Sequence, residues 1–143
     1  MTPAVLDASF VAKLVFAERS SHEAMKRMGR LARTRTPLHA PELLHAEIVS
    51  ISSRKVREGN ALPVQARRLL ELPAKLGIVF WKMEPFAGFA LELTLAADVS
   101  AHDAVYLALA ERVDGKVITA DARLARALAG GPLEHRLELL DEV

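Results

Sequence analysis

The sequence predicts an α/β protein with a central, mainly parallel sheet of four or five strands covered by helices on both faces, a three-layer α/β/α arrangement. Three observations predict it. Short apolar or β-branched runs at Ala4-Val5-Leu6, Thr36 to Ala40, Ile78 to Trp81 and Val117 to Thr119 alternate with stretches of helical period, and Arg136 to Leu140 offers an edge strand. Strands that alternate with helices are joined by crossovers, which make a parallel sheet with its strand ends gathered along one edge. The third observation is size: 143 residues, 51% of them hydrophobic, suffice for one domain over residues 1–143 with a sizeable core.

Composition removes several classes of function. The chain has no Cys, which excludes disulfides, thiolate metal sites and a Cys nucleophile, and fits a reducing cytosol. No basic N-terminus precedes a long apolar run, and no apolar stretch nears the roughly 20 residues of a membrane span, so a soluble cytoplasmic protein is expected. The formal net charge is +1, and no repeat, low-complexity tract or linker divides the chain.

Taken in order, Ala4-Val5-Leu6 has the pattern of a buried central strand and ends abruptly in Asp7-Ala8-Ser9. Phe10, Val11, Leu14 and Val15 continue as one face of a short helix, which puts Asp7 between a strand's carboxyl end and a helix start. Six basic residues lie between Arg19 and Arg35. A helix from about residue 20 to 33 would bury Met25, Met28 and Ala32 and expose Lys26, Arg30 and Arg33, a face able to neutralise phosphates or simply to meet water. After the weak strand near Ala40, Pro41 is expected to start a helix that stops at Gly59. In it Leu43, Glu47 and Ile51 are spaced by four, so Glu47 projects from the apolar face and needs a salt bridge or a metal.

Pro63 to Lys75 reads as a further helix closed by Gly77, followed by the β-prone Ile78-Val79-Phe80-Trp81. Phe86, Phe89, Ala90, Leu93 and Ala97 form a helical stripe, and the aromatic residues here read as core. Ser100 to Leu128 then organises the rest. Residues 101 to 112, read as a helix, put Asp103 on the stripe of Val99, Leu107 and Ala110. A turn at Asp114-Gly115, a strand ending at Thr119 and a helix carrying Leu124 and Leu128 leave Asp121 just past a strand's carboxyl end, where open α/β sheets bind ligands. Arg136 to Leu140 offers an edge strand at the C-terminus, whose acids read as a solvated end; of these, Asp141 and Glu142 lie outside the residues described below.

Each acid has a plain structural explanation. Ser100 to Asp103 fits a capping box with Asp in place of Glu, and Asp7 and Asp121 fit N-caps. Taken together, however, Asp7 and Asp121 fall on one sheet edge, and Glu47 and Asp103 project from the inward sides of helices that can face it. Clustered carboxylates repel unless a cation sits among them, and an all-oxygen site suits Mg2+ or Mn2+. Such a site holds an ion against a phosphate, and phosphodiester hydrolysis is its natural reaction.

These residues resemble the PIN-domain nucleases, in particular the VapC-type toxins of bacterial toxin-antitoxin pairs. The resemblance covers nearly the whole chain and rests on VLDAS at 5–9, the Pro41-led helix with Glu47, SAHDAVYLALA at 100–110 and VITADARLARAL at 117–128. It implies a PIN-like fold and a metal-binding and catalytic quartet of Asp7, Glu47, Asp103 and Asp121, with Ser9 and Thr119 as supporting hydroxyls. It further implies a Mg2+-dependent endoribonuclease acting on RNA, inhibited by a small antitoxin protein and often a homodimer. His102 stands where many such proteins have Tyr, and a metal role for it does not suit an oxygen-rich site. Two other classes compete. A phospho-receiver domain needs a second acid after its central strand, where the strand ending at Trp81 offers only Glu84; a PIN-fold binding module without catalysis implies loss of acids, and all four are present.

Overall fold

The computed structural model describes residues 1–140. Its strands are β1 (Ala4–Leu6), β2 (Leu38–Pro41), β3 (Val79–Trp81), β4 (Lys116–Thr119) and β5 (Leu137–Leu139). Its helices are α1 (Ala8–Lys13), α2 (Ser21–Arg33), α3 (Leu43–Arg57), α4 (Pro63–Lys75), α5 (Ala87–Ala96), α6 (Ala101–Val113) and α7 (Ala122–Leu128), with 3-10 turns at Glu84–Phe86 and Glu134–Arg136. The strands form one sheet in the order β3-β2-β1-β4-β5, and every neighbouring pair is parallel. This is the predicted three-layer α/β/α fold with five strands.

Side chains alternate along each strand, so the sheet builds two cores. Leu6 and Ile118 pack on one face with Phe10, Leu44, Ile48 and Leu69, all at most 1% exposed. Val5 and Val117 point to the other face, against Tyr106, Leu107, Leu124 and Leu128. Each such side chain contributes on the order of 2 kcal/mol by leaving water. Helix α6 is buried continuously from Ala104 to Ala110 because it lies between the sheet and α5, and its alanines permit that close approach.

The direction of the chain reverses at β1: the strands run outward to β2 and β3 on one side, then to β4 and β5 on the other. The crevice above the carboxyl ends of β1 and β4 is therefore the topological switch point, the place where open parallel sheets take ligands.

Several local expectations change in three dimensions. Pro41 ends β2, in register with Trp81, and α3 begins at Leu43. The Trp81 carbonyl there accepts from the Glu42 amide, at 2.9 Å, so the missing proline N–H costs the ladder nothing at that point. Helix α2 is rotated from its expected face: Ala24 is buried and Met28 and Leu31 touch the core, while Met25 is 61% exposed. Ala32 is exposed too. Ala24, Met28 and Leu31 have a helical spacing as good as that of Met25, Met28 and Ala32, and packing selects between them. Phe89 is likewise exposed, whereas Phe86 and Ala90 are buried. Glu138 of β5 is no solvated end, since it pairs with Arg27 of α2. Helices α3 and α4 end as read, with Gly59 and Gly77 both at positive φ, 76° and 73°.

Candidate active site at the carboxyl edge of the sheet

Asp7 is the first residue beyond β1. It caps α1, its Oδ1 accepting from the Phe10 amide at 2.9 Å and from the Ser9 hydroxyl at 2.7 Å. Asp121, the second residue beyond β4, caps α7, its Oδ1 accepting from the amides of Arg123 at 2.9 Å and Leu124 at 3.3 Å. Both acids are thus N-caps, as their local sequence requires. In each the capping bonds land on Oδ1, so capping does not use Oδ2.

The two strand ends are tied through hydroxyls. Thr119, fully buried at the end of β4, accepts from the Asp121 amide at 3.1 Å, and its Oγ1 lies 3.4 Å from Ser9 Oγ. Ser9 Oγ also accepts from the Ala120 amide at 3.2 Å. Both hydroxyls singled out in the sequence therefore sit between the two Asp residues.

Glu47 and Asp103 come from α3 and α6. Glu47 Oε1 accepts a 2.6 Å bond from the Tyr106 hydroxyl, and Oε2 lies 3.6 Å from His102 Nδ1. Asp103 is half-buried in the first turn of α6, where Ser100 Oγ accepts from its amide at 3.0 Å. Ser100 forms its half of the expected capping box.

The carboxyl groups are coupled in series. Burial pushes the Asp7 carboxyl up to about 6, with the Glu47 charge adding to it and the bonds from Thr119, Phe10 and Ser9 opposing it. Burial also raises Glu47, to which Asp103 adds, and raises Asp103, to which Asp121 adds. Tyr106 is held protonated by burial and by the charges of Glu47, Asp7 and Asp103. The bond with Ser100 opposes that rise in Asp103, as do Arg123 and His102.

The donors at this edge are all oxygen, which fits Mg2+ or Mn2+. Among the described residues no three carboxylate or imidazole groups are already close enough to hold an ion between them. Mg2+ keeps several of its waters and is commonly held through one or two carboxylates, so the donor chemistry fits a hydrated ion.

Tyr106 was missed in the sequence, although it is the only Tyr in the chain and lies three residues beyond Asp103. A lone phenol in an apolar helix on an acid's own face is a signal for a buried hydrogen bond. Two other features lie apart from the quartet. The exposed Lys26, Arg30 and Arg33 line a 540 Å³ groove with Arg27 and Leu140 that contains none of the quartet. Glu84, the second acid a phospho-receiver would require, is exposed in the turn after edge strand β3. Among the described residues, no helix is long and apolar enough to cross a membrane.

A five-stranded parallel sheet in this order, with acids at its switch point, defines a doubly wound α/β domain with a candidate acidic site. The PIN domain family model matches residues 4–129, and the chain belongs to that family. Among its relatives is ribonuclease VapC3 of Pyrobaculum aerophilum, 31% identical over 126 residues, spanning 85% of this chain and 91% of that protein. Among solved structures, VapBC2 from Rickettsia felis, bound to a DNA fragment from their promoter, superposes with a TM-score of 0.71 at 12% identity, covering 96% of this chain and 98% of that one. A toxin-antitoxin complex from Klebsiella pneumoniae gives 0.66 at 18% identity, covering 98% and 99%. At these identities the likeness is one of fold.

Proposed function

We propose that this chain is a Mg2+- or Mn2+-dependent endoribonuclease that hydrolyses RNA phosphodiester bonds. In this reading residues 1–143 act as one PIN-like unit in the cytoplasm, the toxin of a toxin-antitoxin pair, with a small antitoxin protein as partner and a homodimer as the working form. The observation that carries the reading is geometric: Asp7 and Asp121 cap helices beyond the adjacent strands β1 and β4, each through Oδ1, with the Ser9 and Thr119 hydroxyls 3.4 Å apart between them. Carboxylates gathered at one sheet edge and partly removed from water favour a divalent cation as counter-charge. The named ribonuclease relative and the toxin-antitoxin structure with the same fold support RNA as substrate and a protein inhibitor as partner.

Asp7, Glu47, Asp103 and Asp121 would hold the ion, with Ser9 fixing the Asp7 side chain and Thr119 the backbone at Asp121. When bound, the ion supplies positive charge beside the phosphate and makes water acidic enough to attack near neutral pH. Hydrolysis adds water to phosphorus and breaks one phosphorus–oxygen bond to ribose, the departing oxygen taking a proton.

The test is cleavage of single-stranded RNA by the purified protein with Mg2+ or Mn2+, with EDTA as control. Asp7→Asn, Asp103→Asn and Asp121→Asn should each nearly abolish cleavage and leave circular dichroism unchanged. RNA binding without metal-dependent cleavage would make the chain a binding module, and a variant that kept full activity would lose its place among the ligands.

A further inference from the structure

We infer that Tyr106 is a positioning residue for Glu47, fixing the rotamer in which its carboxylate enters the proposed metal site. This rests on the proposed metal site and names a residue that no strand-end or capping pattern accounts for. Its hydroxyl is 2.6 Å from Glu47 Oε1, across 59 residues of chain. The ring is 2% exposed and sits in the part of α6 that is buried without a break from Ala104 to Ala110, so the phenol has a fixed origin.

Glu47 needs such an anchor more than the other acids do. The Asp7 and Asp121 carboxylates are each fixed by backbone amides at the start of a helix, on the shortest acidic side chain. Glu47 projects from within α3, away from any helix end, and has one more rotatable bond. A hydrogen bond from a neutral buried donor holds the carboxylate's rotamer and favours its ionised form. The bond engages Oε1 alone, and Oε2 lies 3.6 Å from Nδ1 of the exposed His102, so the phenol is the buried anchor of this carboxylate. Tyr106 and Asp103 lie three apart on α6, so one rigid helix supplies both an acid and the anchor of another.

The test is Mn2+ affinity, measured by calorimetry on wild type, Tyr106→Phe, Glu47→Gln and the double variant, with urea unfolding of each in EDTA. Phe fills the same space and removes only the donor. Tyr106→Phe should bind Mn2+ about 10-fold more weakly, the scale found for groups that orient metal ligands. In the Glu47→Gln background the same change should have little effect, because the oxygen it orients is no longer charged. A loss of stability with unchanged Mn2+ affinity would make Tyr106 merely structural and overturn the inference. An equal loss in the Glu47→Gln background would also overturn it, since Tyr106 would then act elsewhere. Failure of the wild type itself to bind Mn2+ would overturn the metal site, a result visible before any variant is compared.

Discussion

Ser9 and Thr119, 110 residues apart in sequence, place their hydroxyl oxygens 3.4 Å from each other between the carboxyl ends of β1 and β4. Ser9 donates to Asp7, and Thr119 accepts from the Asp121 amide, so each hydroxyl is joined both to its own strand's acid and to the opposite strand. Thr119→Val would bury an amide with no acceptor and should cost about 1–2 kcal/mol in urea unfolding. Ser9→Ala should cost about 1 kcal/mol, and the double variant less than the sum, because the two hydroxyls meet each other. Strict additivity would mean that the strand ends are not coupled through this pair.

The Asp7 carboxyl, raised to about 6 chiefly by burial, makes stability depend on pH in a definite direction. Its unfolded value is about 4, so between about pH 4 and 6 the folded state holds the proton more tightly. The favourable contribution is therefore fully present below about pH 4 and lost as pH rises through about 6. In EDTA, wild type should lose stability relative to Asp7→Asn across that window, by at most ~3 kcal/mol, the free-energy equivalent of that rise. Millimolar Mn2+ should restore wild type above pH 6, since the ion binds only the native state. Parallel stability profiles in EDTA would refute the raised carboxyl.

If RNA is the substrate, the exposed cations of α2 can meet its phosphates. Replacing Lys26, Arg30 and Arg33 with Gln should weaken RNA binding and flatten its dependence on salt, by a slope of about 1 for each phosphate that is no longer neutralised. All three side chains are exposed, so the melting temperature should hardly move. An unchanged salt slope would leave these residues as a solvated face.

Gly115 is required by a close approach. A Cβ there would stand 2.4 Å from the Pro3 carbonyl oxygen, which also accepts from the Lys116 amide at 3.1 Å at the start of the β1–β4 pairing. Gly115→Ala must push backbone apart at the centre of the sheet and should cost about 1–3 kcal/mol by thermal unfolding. A neutral result would show that the start of β1 is free to shift.

What was legible in the sequence is what local chemistry specifies. The alternation of β-prone runs with helical periods determined the parallel sheet, and Pro63 and Gly77 bracketed α4 because they act on their own backbone. Asp7 and Asp121 could be placed at strand ends because each caps the helix that follows within three residues. Glu47 could be recognised as inward-facing from its spacing, but not which partner it meets. Tertiary structure alone decided that Tyr106 holds Glu47, that Arg27 pairs with Glu138, and that Ala24 rather than Met25 faces the core. A helix's apolar period limits the faces it can bury without choosing between two of equal spacing, and a bond between side chains far apart in sequence exists only once the sheet has brought their elements together.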